Sequence, residues 1–165
     1  MTRSAARILL IDEAARILLF HGFDPADPTD QFWITPGGGL EPGESAAQGA
    51  ARELFEETGL GVDPDALGTP VWRDVDEFSF DGVRYRQEQE FFLFRVSSWE
   101  VDTSGFEEIE QICMNQYRWW TIDELAATSE PVYPPSLATL LRDLRSATVP
   151  GRRPAPDAAE PEGLI

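Results

Sequence analysis

Apolar residues in this chain come in short bursts separated by polar turns, and the spacing within the bursts changes along the sequence. Residues 7–11 and 16–20 are two such bursts around Asp12-Glu13-Ala14-Ala15, which reads as a hairpin of two strands. Residues 22–30, with Pro25, Pro28 and aspartates at 24, 27 and 30, read as a loop. A short strand over 31–35 runs into the turn 36–39. The period then lengthens: Ala47, Ala51, Leu54, Phe55 and Thr58 fall on one face of a helix over 46–58. Ser45 is its N-cap, Gln48 its capping-box partner and Gly59 its stop. Residues 71–80 and 83–96 form a second hairpin over Asp81-Gly82. Phe91 to Phe94 is apolar on both alternations, as in a central strand buried on two faces. Further on, 107–116 is a polar, partly helical stretch and 117–120 a strand. Thr121 and Glu124 cap a helix start, and leucines at 137, 140, 141 and 144 mark a last helix over 136–145. These mixed elements predict an α/β fold in one domain, residues 1–148, followed by a flexible Pro-, Ala- and Glu-rich tail over 149–165.

Composition narrows the partners. The net charge is −17 and no basic run exists to neutralise a line of phosphates, which argues against duplex DNA or long RNA and for a small phosphorylated ligand. A short capped RNA end stays open. The single cysteine, Cys113, has no intrachain partner and reads as a core or interface thiol rather than a nucleophile. The apolar run 8–11 ends at Asp12-Glu13, so no signal-peptide pattern is present, and no stretch approaches the ~20 residues of a membrane span. A cytoplasmic protein with no membrane partner is expected.

The candidate chemistry lies on the first helix. Glu53, Glu56 and Glu57 stand at i, i+3 and i+4, within an arc of about 100°. Like charges so close repel, and a merely structural helix gains nothing from them. Hard carboxylate oxygens on one face suit Mg²⁺, with Mn²⁺ as the alternative. With the apolar face on the sheet, the acids are expected to point outward. Gly49, one turn before Glu53, costs a helix about 1 kcal/mol against alanine, so room for a loop, a metal or a phosphate is its expected benefit.

Residues 38–60 carry a recognisable pattern: Gly38, five residues, Glu44, seven residues, Arg52-Glu53, an aliphatic Leu54, one residue, Glu56-Glu57, one residue, Gly59 and an aliphatic Leu60. This resembles the Nudix hydrolases at every fixed position, and Trp33-Ile34-Thr35-Pro36-Gly37 resembles the usual approach to their box. The resemblance implies a Nudix-type α/β/α sandwich with a mixed β-sheet. It also implies a Mg²⁺-dependent hydrolase that cleaves the diphosphate linkage of a nucleoside diphosphate joined to another moiety, by attack of water on phosphorus. Glu53, Glu56 and Glu57 would be the metal ligands, Glu53 the best base within the box, and Glu57 a further catalytic acid. Arg52 would steer a carboxylate, with Glu44 or Glu56 as its partner. A homodimer is common in comparable families.

Outside the box, the glycine turn is expected to deliver the Gly37 backbone carbonyl as an extra ligand. By resemblance a later acid joins the site: Glu110 is the candidate, with Glu107, Glu108, Glu88 and Glu90 as rivals. Of the five tryptophans, Trp33 is best placed to stack on a substrate ring because it directly precedes the turn. His21 reads as a strand-end residue. Two other readings of the segment are a non-catalytic nucleotide-sensing module and a diphosphate isomerase; the complete glutamate set disfavours the first, and Cys113 alone does not supply the thiol chemistry of the second.

Overall fold

A strand that is apolar on both alternations must be covered from two sides, and the first strand becomes the middle of the molecule for that reason. The computed structural model describes residues 1–147. Its strands are β1 (Thr2–Ile11), β2 (Ile17–Asp24), β3 (Asp27–Ile34), β4 (Gly37–Gly39), β5 (Trp72–Phe80), β6 (Val83–Arg95), β7 (Met114–Trp120) and β8 (Val132–Tyr133). Its helices are α1 (Ala46–Thr58), α2 (Glu108–Cys113), α3 (Ile122–Ala127) and α4 (Leu137–Ala147). The strands form one mixed sheet in the order β5-β6-β1-β2-β3-β8, with β4 beside β1 and β7 beside β2. Ile8 and Leu10 of β1 pack with Ala50, Ala51 and Leu54 of α1 on one face. Leu9 and Ile11 pack on the other with Trp120, with Leu125 of α3 and with Leu137 and Leu141 of α4. Phe91 and Phe92 of β6 divide between the same two layers. The α/β/α sandwich expected from the sequence is therefore present.

Two local expectations are corrected. The first hairpin closes on a single rung, Ile11 opposite Ile17, because each strand then takes other partners. β1 runs parallel to β6 and antiparallel to β4, while β2 pairs with β3 and β7. The stretch 22–30 is not a loop: β2 and β3 continue through it around a tight turn at Pro25-Ala26. Proline is tolerated there because the ladder shifts register between Phe23 and Asp24, which leaves Pro28 outside the regular pairing. The buried Asp24 stabilises the turn, its Oδ1 accepting from Ala26 N at 2.9 Å and from Asp81 N, at the tip of the β5–β6 hairpin, at 2.8 Å. The expected tail over 149–165 lies outside the described residues.

The caps of α1 are those the sequence specifies. Ser45 Oγ accepts from Gln48 N, Gln48 Oε1 accepts from Ser45 N, and Gly59 closes the helix in the left-handed region at φ 78°. Its faces are turned differently from the expectation. Phe55 is 59% exposed, whereas Glu53 and Glu57 are buried, so the acids point inward along the flank that meets β4. Gly49 leaves space for a loop: a Cβ there would overlap Leu40 Cδ2 and lie 3.0 Å from Glu44 Oε1. Leu40 can turn aside, but Glu44 is held by Arg52. Gly49→Ala is therefore expected to lower stability by about 1 kcal/mol despite alanine's helical advantage, read as a lower urea midpoint at unchanged m-value.

Candidate active site

The glycine turn and α1 fit against each other because the turn lacks side chains. Gly37 sits at φ 138°, where a Cβ would overlap Ala6 O, and a Cβ on Gly38 would lie 2.7 Å from Glu53 Oε1. β4 pairs with β1, placing Gly37 opposite Arg7. Gly37 N donates to Glu57 Oε1 at 2.8 Å. The Gly37 carbonyl, expected to face a metal, accepts from Arg7 Nη1 at 3.1 Å, and the same nitrogen donates to Thr35 O at 3.2 Å.

Arg52 ties the turn, the loop and the helix together. Nε and Nη2 donate to the two oxygens of Glu44 at 2.7 and 2.9 Å, a bidentate pair. Nη2 also donates to Gly39 O at 3.1 Å, and Nη1 reaches Glu53 Oε1 at 3.1 Å and Glu56 Oε2 at 3.3 Å. Of the two partners the sequence offered, Glu44 is the close one. It raises the guanidinium's pKa further and is itself held below the usual carboxylate range.

Glu110, presented by α2, meets the helix acids. Carboxylate oxygens of Glu53, Glu57 and Glu110 lie within 4.8 Å of one another. Glu56, 27% exposed at its side chain, stays with Arg52 outside this group. Burial pushes Glu57 well above its ordinary value, with Glu53 and Glu110 adding to the rise. Burial likewise pushes Glu53 up to about 7, against the pull of Arg52. Three buried or half-buried acids with only hard oxygens to offer, joined by Glu44 and Glu56 and set against Arg52 and the buried Arg7, fit a divalent cation.

That electrostatic load has a sign that can be measured. Without metal, folded Glu53 keeps its proton up to about pH 7, while the unfolded chain releases it near 4.5. Stability that is complete below the lower value is lost as pH rises through the higher one, by roughly 3 kcal/mol for this group. The metal-free protein is expected to melt at lower temperature at about pH 8 than at about pH 5, and Glu53→Gln to flatten the difference. A divalent cation needs the ionised form, so the rise in melting temperature on adding Mg²⁺ grows over the same interval.

A cleft of about 290 Å³ adjoins the carboxylates. Phe20, Phe32, Ile34, Phe78, Phe80 and Tyr133 give it apolar walls, and Arg3, Arg7, Gln87 and Gln89 add polar groups. Trp33, the expected stacking residue, is not among its lining residues. It is 5% exposed, packs edge-on against Trp120 at 5.1 Å and donates from Nε1 to Glu130. Strand alternation is the reason: Phe32 and Ile34 line the cleft, while Trp33 enters the layer beneath α3 and α4. His21, in the body of β2 rather than at its end, packs on Trp33 at 4.8 Å. Glu88 and Glu90 pair with Arg86 and Arg73 and do not line the cleft; Glu107 does, at the start of α2. Cys113 is buried in the cleft wall, and burial raises its thiol pKa, which favours the thiol over the thiolate. The cleft cations Arg3 and Arg7 and the two glutamines were not singled out from the sequence. A lone arginine opening the burst RILLI was the available signal for Arg7.

A carboxylate platform beside an aromatic-walled cleft, on a mixed-sheet α/β/α sandwich, suits an enzyme that handles phosphorylated compounds through a metal. The NUDIX domain family model matches residues 1–143, and the chain belongs to the Nudix family, as a hydrolase of diphosphate linkages. Metal dependence is typical of that family. The chain is 32% identical over 124 residues to an RNA pyrophosphohydrolase of Erythrobacter litoralis, covering 69% of this chain and 74% of the relative. It is 26% identical over 135 residues to an RNA pyrophosphohydrolase of Wolbachia pipientis, covering 78% and 80%. Among solved structures, a MutT protein from Methanosarcina mazei superposes with a TM-score of 0.63 at 18% identity, over 86% of this chain and 91% of the other.

Proposed function

We propose that this chain hydrolyses, with Mg²⁺, the diphosphate linkage of a nucleoside diphosphate joined to a further group, with water attacking phosphorus. The observation that carries the reading is the convergence of Glu53, Glu57 and Glu110 beside the aromatic-walled cleft. These three residues would hold the metal, with Glu56 at its margin. Bound there, Mg²⁺ supplies charge neutralisation for the phosphate oxygens. Glu53 would be the base within the box, its carboxylate accepting a proton from the attacking water. Arg52 holds Glu53 in place and Gly37 N fixes Glu57, so both acids are oriented before substrate arrives. The phenylalanine walls suit the flat ring of a nucleobase.

The similarity to RNA pyrophosphohydrolases makes a 5′ RNA end a candidate substrate. The charge of −17 and a cleft of about 290 Å³ favour a small nucleotide over long RNA. No helix among the described residues is long and apolar enough to cross a membrane. We infer a cytoplasmic setting from the single cysteine, Cys113, and a homodimer by analogy with comparable families, which sedimentation velocity tests. The activity test is a panel of ADP-ribose, dinucleoside polyphosphates, an oxidised nucleotide, sugar nucleotides and 5′-triphosphorylated RNA, incubated with Mg²⁺ and then with Mn²⁺. Metal-dependent cleavage of at least one is expected. Nucleotide binding without turnover of any would replace the hydrolase with a sensing module.

A further inference from the structure

One wall of the cleft carries a hydrogen-bond relay whose direction is fixed by an arginine. On the paired face of β1 and β6, Arg3 lies opposite Gln87 and Ala5 opposite Gln89. Arg3 Nε donates to Gln87 Oε1 at 2.6 Å. A guanidinium has no acceptor, so Gln87 must present its oxygen to Arg3 and its nitrogen onward. Gln87 Nε2 donates to Gln89 Oε1 at 2.9 Å, which by the same logic leaves Gln89 with its Nε2 as the open end of the relay. Arg3 is itself held in place, its guanidinium carbon 4.5 Å from the Tyr85 ring centroid and Tyr85 stacked on Phe78. Gln87 is 1% exposed and Gln89 7%, so neither amide is freely rotating in solvent.

We propose that Gln89 is a specificity-determining residue that donates from Nε2 to an acceptor oxygen of the substrate, a carbonyl of the base or a phosphoryl oxygen. Arg3 and Gln87 are positioning residues that keep that amide from turning its own oxygen toward the ligand. Asp76, on the neighbouring strand in register with Gln87, lines the cleft beside the relay and offers only acceptor oxygens, so the donor at the end of the relay is Gln89 Nε2. Such a wall discriminates because a ligand presenting an N–H to Gln89 would leave two donors facing each other. The inference rests on the cleft being the substrate site of the proposed hydrolase.

The test separates the two sources of oxygen and stands apart from catalysis. Equilibrium binding of GDP, ADP and inorganic pyrophosphate is measured with Ca²⁺ in place of Mg²⁺, for the wild type, Gln89→Glu and Gln89→Met. GDP and ADP carry the same phosphates and differ in the base, guanine having a 6-carbonyl, an N1–H and a 2-amino group where adenine has a 6-amino group, a bare N1 and C2–H. If the base supplies the oxygen, the wild type binds GDP about tenfold more tightly than ADP, and both variants lose that preference. If a phosphate supplies it, the base preference stays and both variants bind pyrophosphate about tenfold more weakly. Gln89→Glu keeps an acceptor for Gln87 Nε2, and Gln89→Met reports the lost donor should the acid fail to fold. Unchanged base preference together with unchanged pyrophosphate affinity overturns the proposal, even if nucleotides bind more weakly overall. Absence of turnover in Mg²⁺ with these binding differences intact would instead count against the hydrolase reading alone.

Discussion

Glu57→Gln is expected to yield a protein at least as stable as its parent, with a turnover roughly a thousandfold lower. The two effects have one origin. Glu57 is 4% exposed and faces Glu53 and Glu110, so its ionised form is disfavoured in the metal-free fold. An amide of the same shape keeps an oxygen for Gly37 N and removes the charge. Near pH 8 the variant's metal-free melting temperature rises by a few degrees, while the gain on adding Mg²⁺ shrinks. Thermal melts with and without metal, alongside initial rates on the best substrate, check both halves. Wild-type turnover in this variant would remove Glu57 from the metal site, and a marked loss of stability would show that its charge is needed to balance the buried Arg7 guanidinium.

Arg52→Met is expected to cost about 3 kcal/mol of stability and most of the metal affinity. An isolated i,i+4 pair between Arg52 and Glu56 would contribute only about 0.3–0.5 kcal/mol. The guanidinium instead bridges Glu44, Gly39 O and Glu53, and the Glu44 side chain is only 12% exposed. Removing the cation strands Glu44 and unfastens the turn from the helix. Arg52→Lys is expected to recover little, because an ammonium cannot reproduce the fork on Glu44 together with the bond to Gly39 O. Urea unfolding of the two variants reads the stability, and a Mg²⁺ titration reads the site. A midpoint for Arg52→Met equal to that of the wild type would reduce the bridge to a surface contact.

The parts of the site that could be read from the sequence are those fixed by nearest neighbours along the chain. Ser45, Gln48 and Gly59 bound α1 because capping involves residues three or four apart, and the spacing of Glu53 and Glu57 sets their shared flank before any tertiary contact exists. Which way that flank turns is set by packing. The sheet takes Ala50 and Leu54, leaves Phe55 in solvent and draws the acids inward. Trp33 shows the limit of proximity in sequence: it is three residues from the glycine turn, yet strand parity sends its ring to the opposite layer while Phe32 faces the cleft. Glu110 could be named only among several acids, since what brings it to Glu53 is the placement of α2 across some fifty residues of chain. The relay of Arg3, Gln87 and Gln89 depends on a parallel pairing of β1 with β6 that no local pattern encodes.

Asp24, itself in the cleft wall, gives the cleft a property that its neighbours there would not. One oxygen of this aspartate joins the tip of the β2–β3 hairpin to that of the β5–β6 hairpin, and these hairpins carry Phe32 and Phe80. The two hairpins that carry these walls are thus joined to each other through a single side chain. A cleft whose walls are tied together in this way receives a ligand with little loss of freedom on binding. The tie rests on a residue that touches neither the metal platform nor the amide relay.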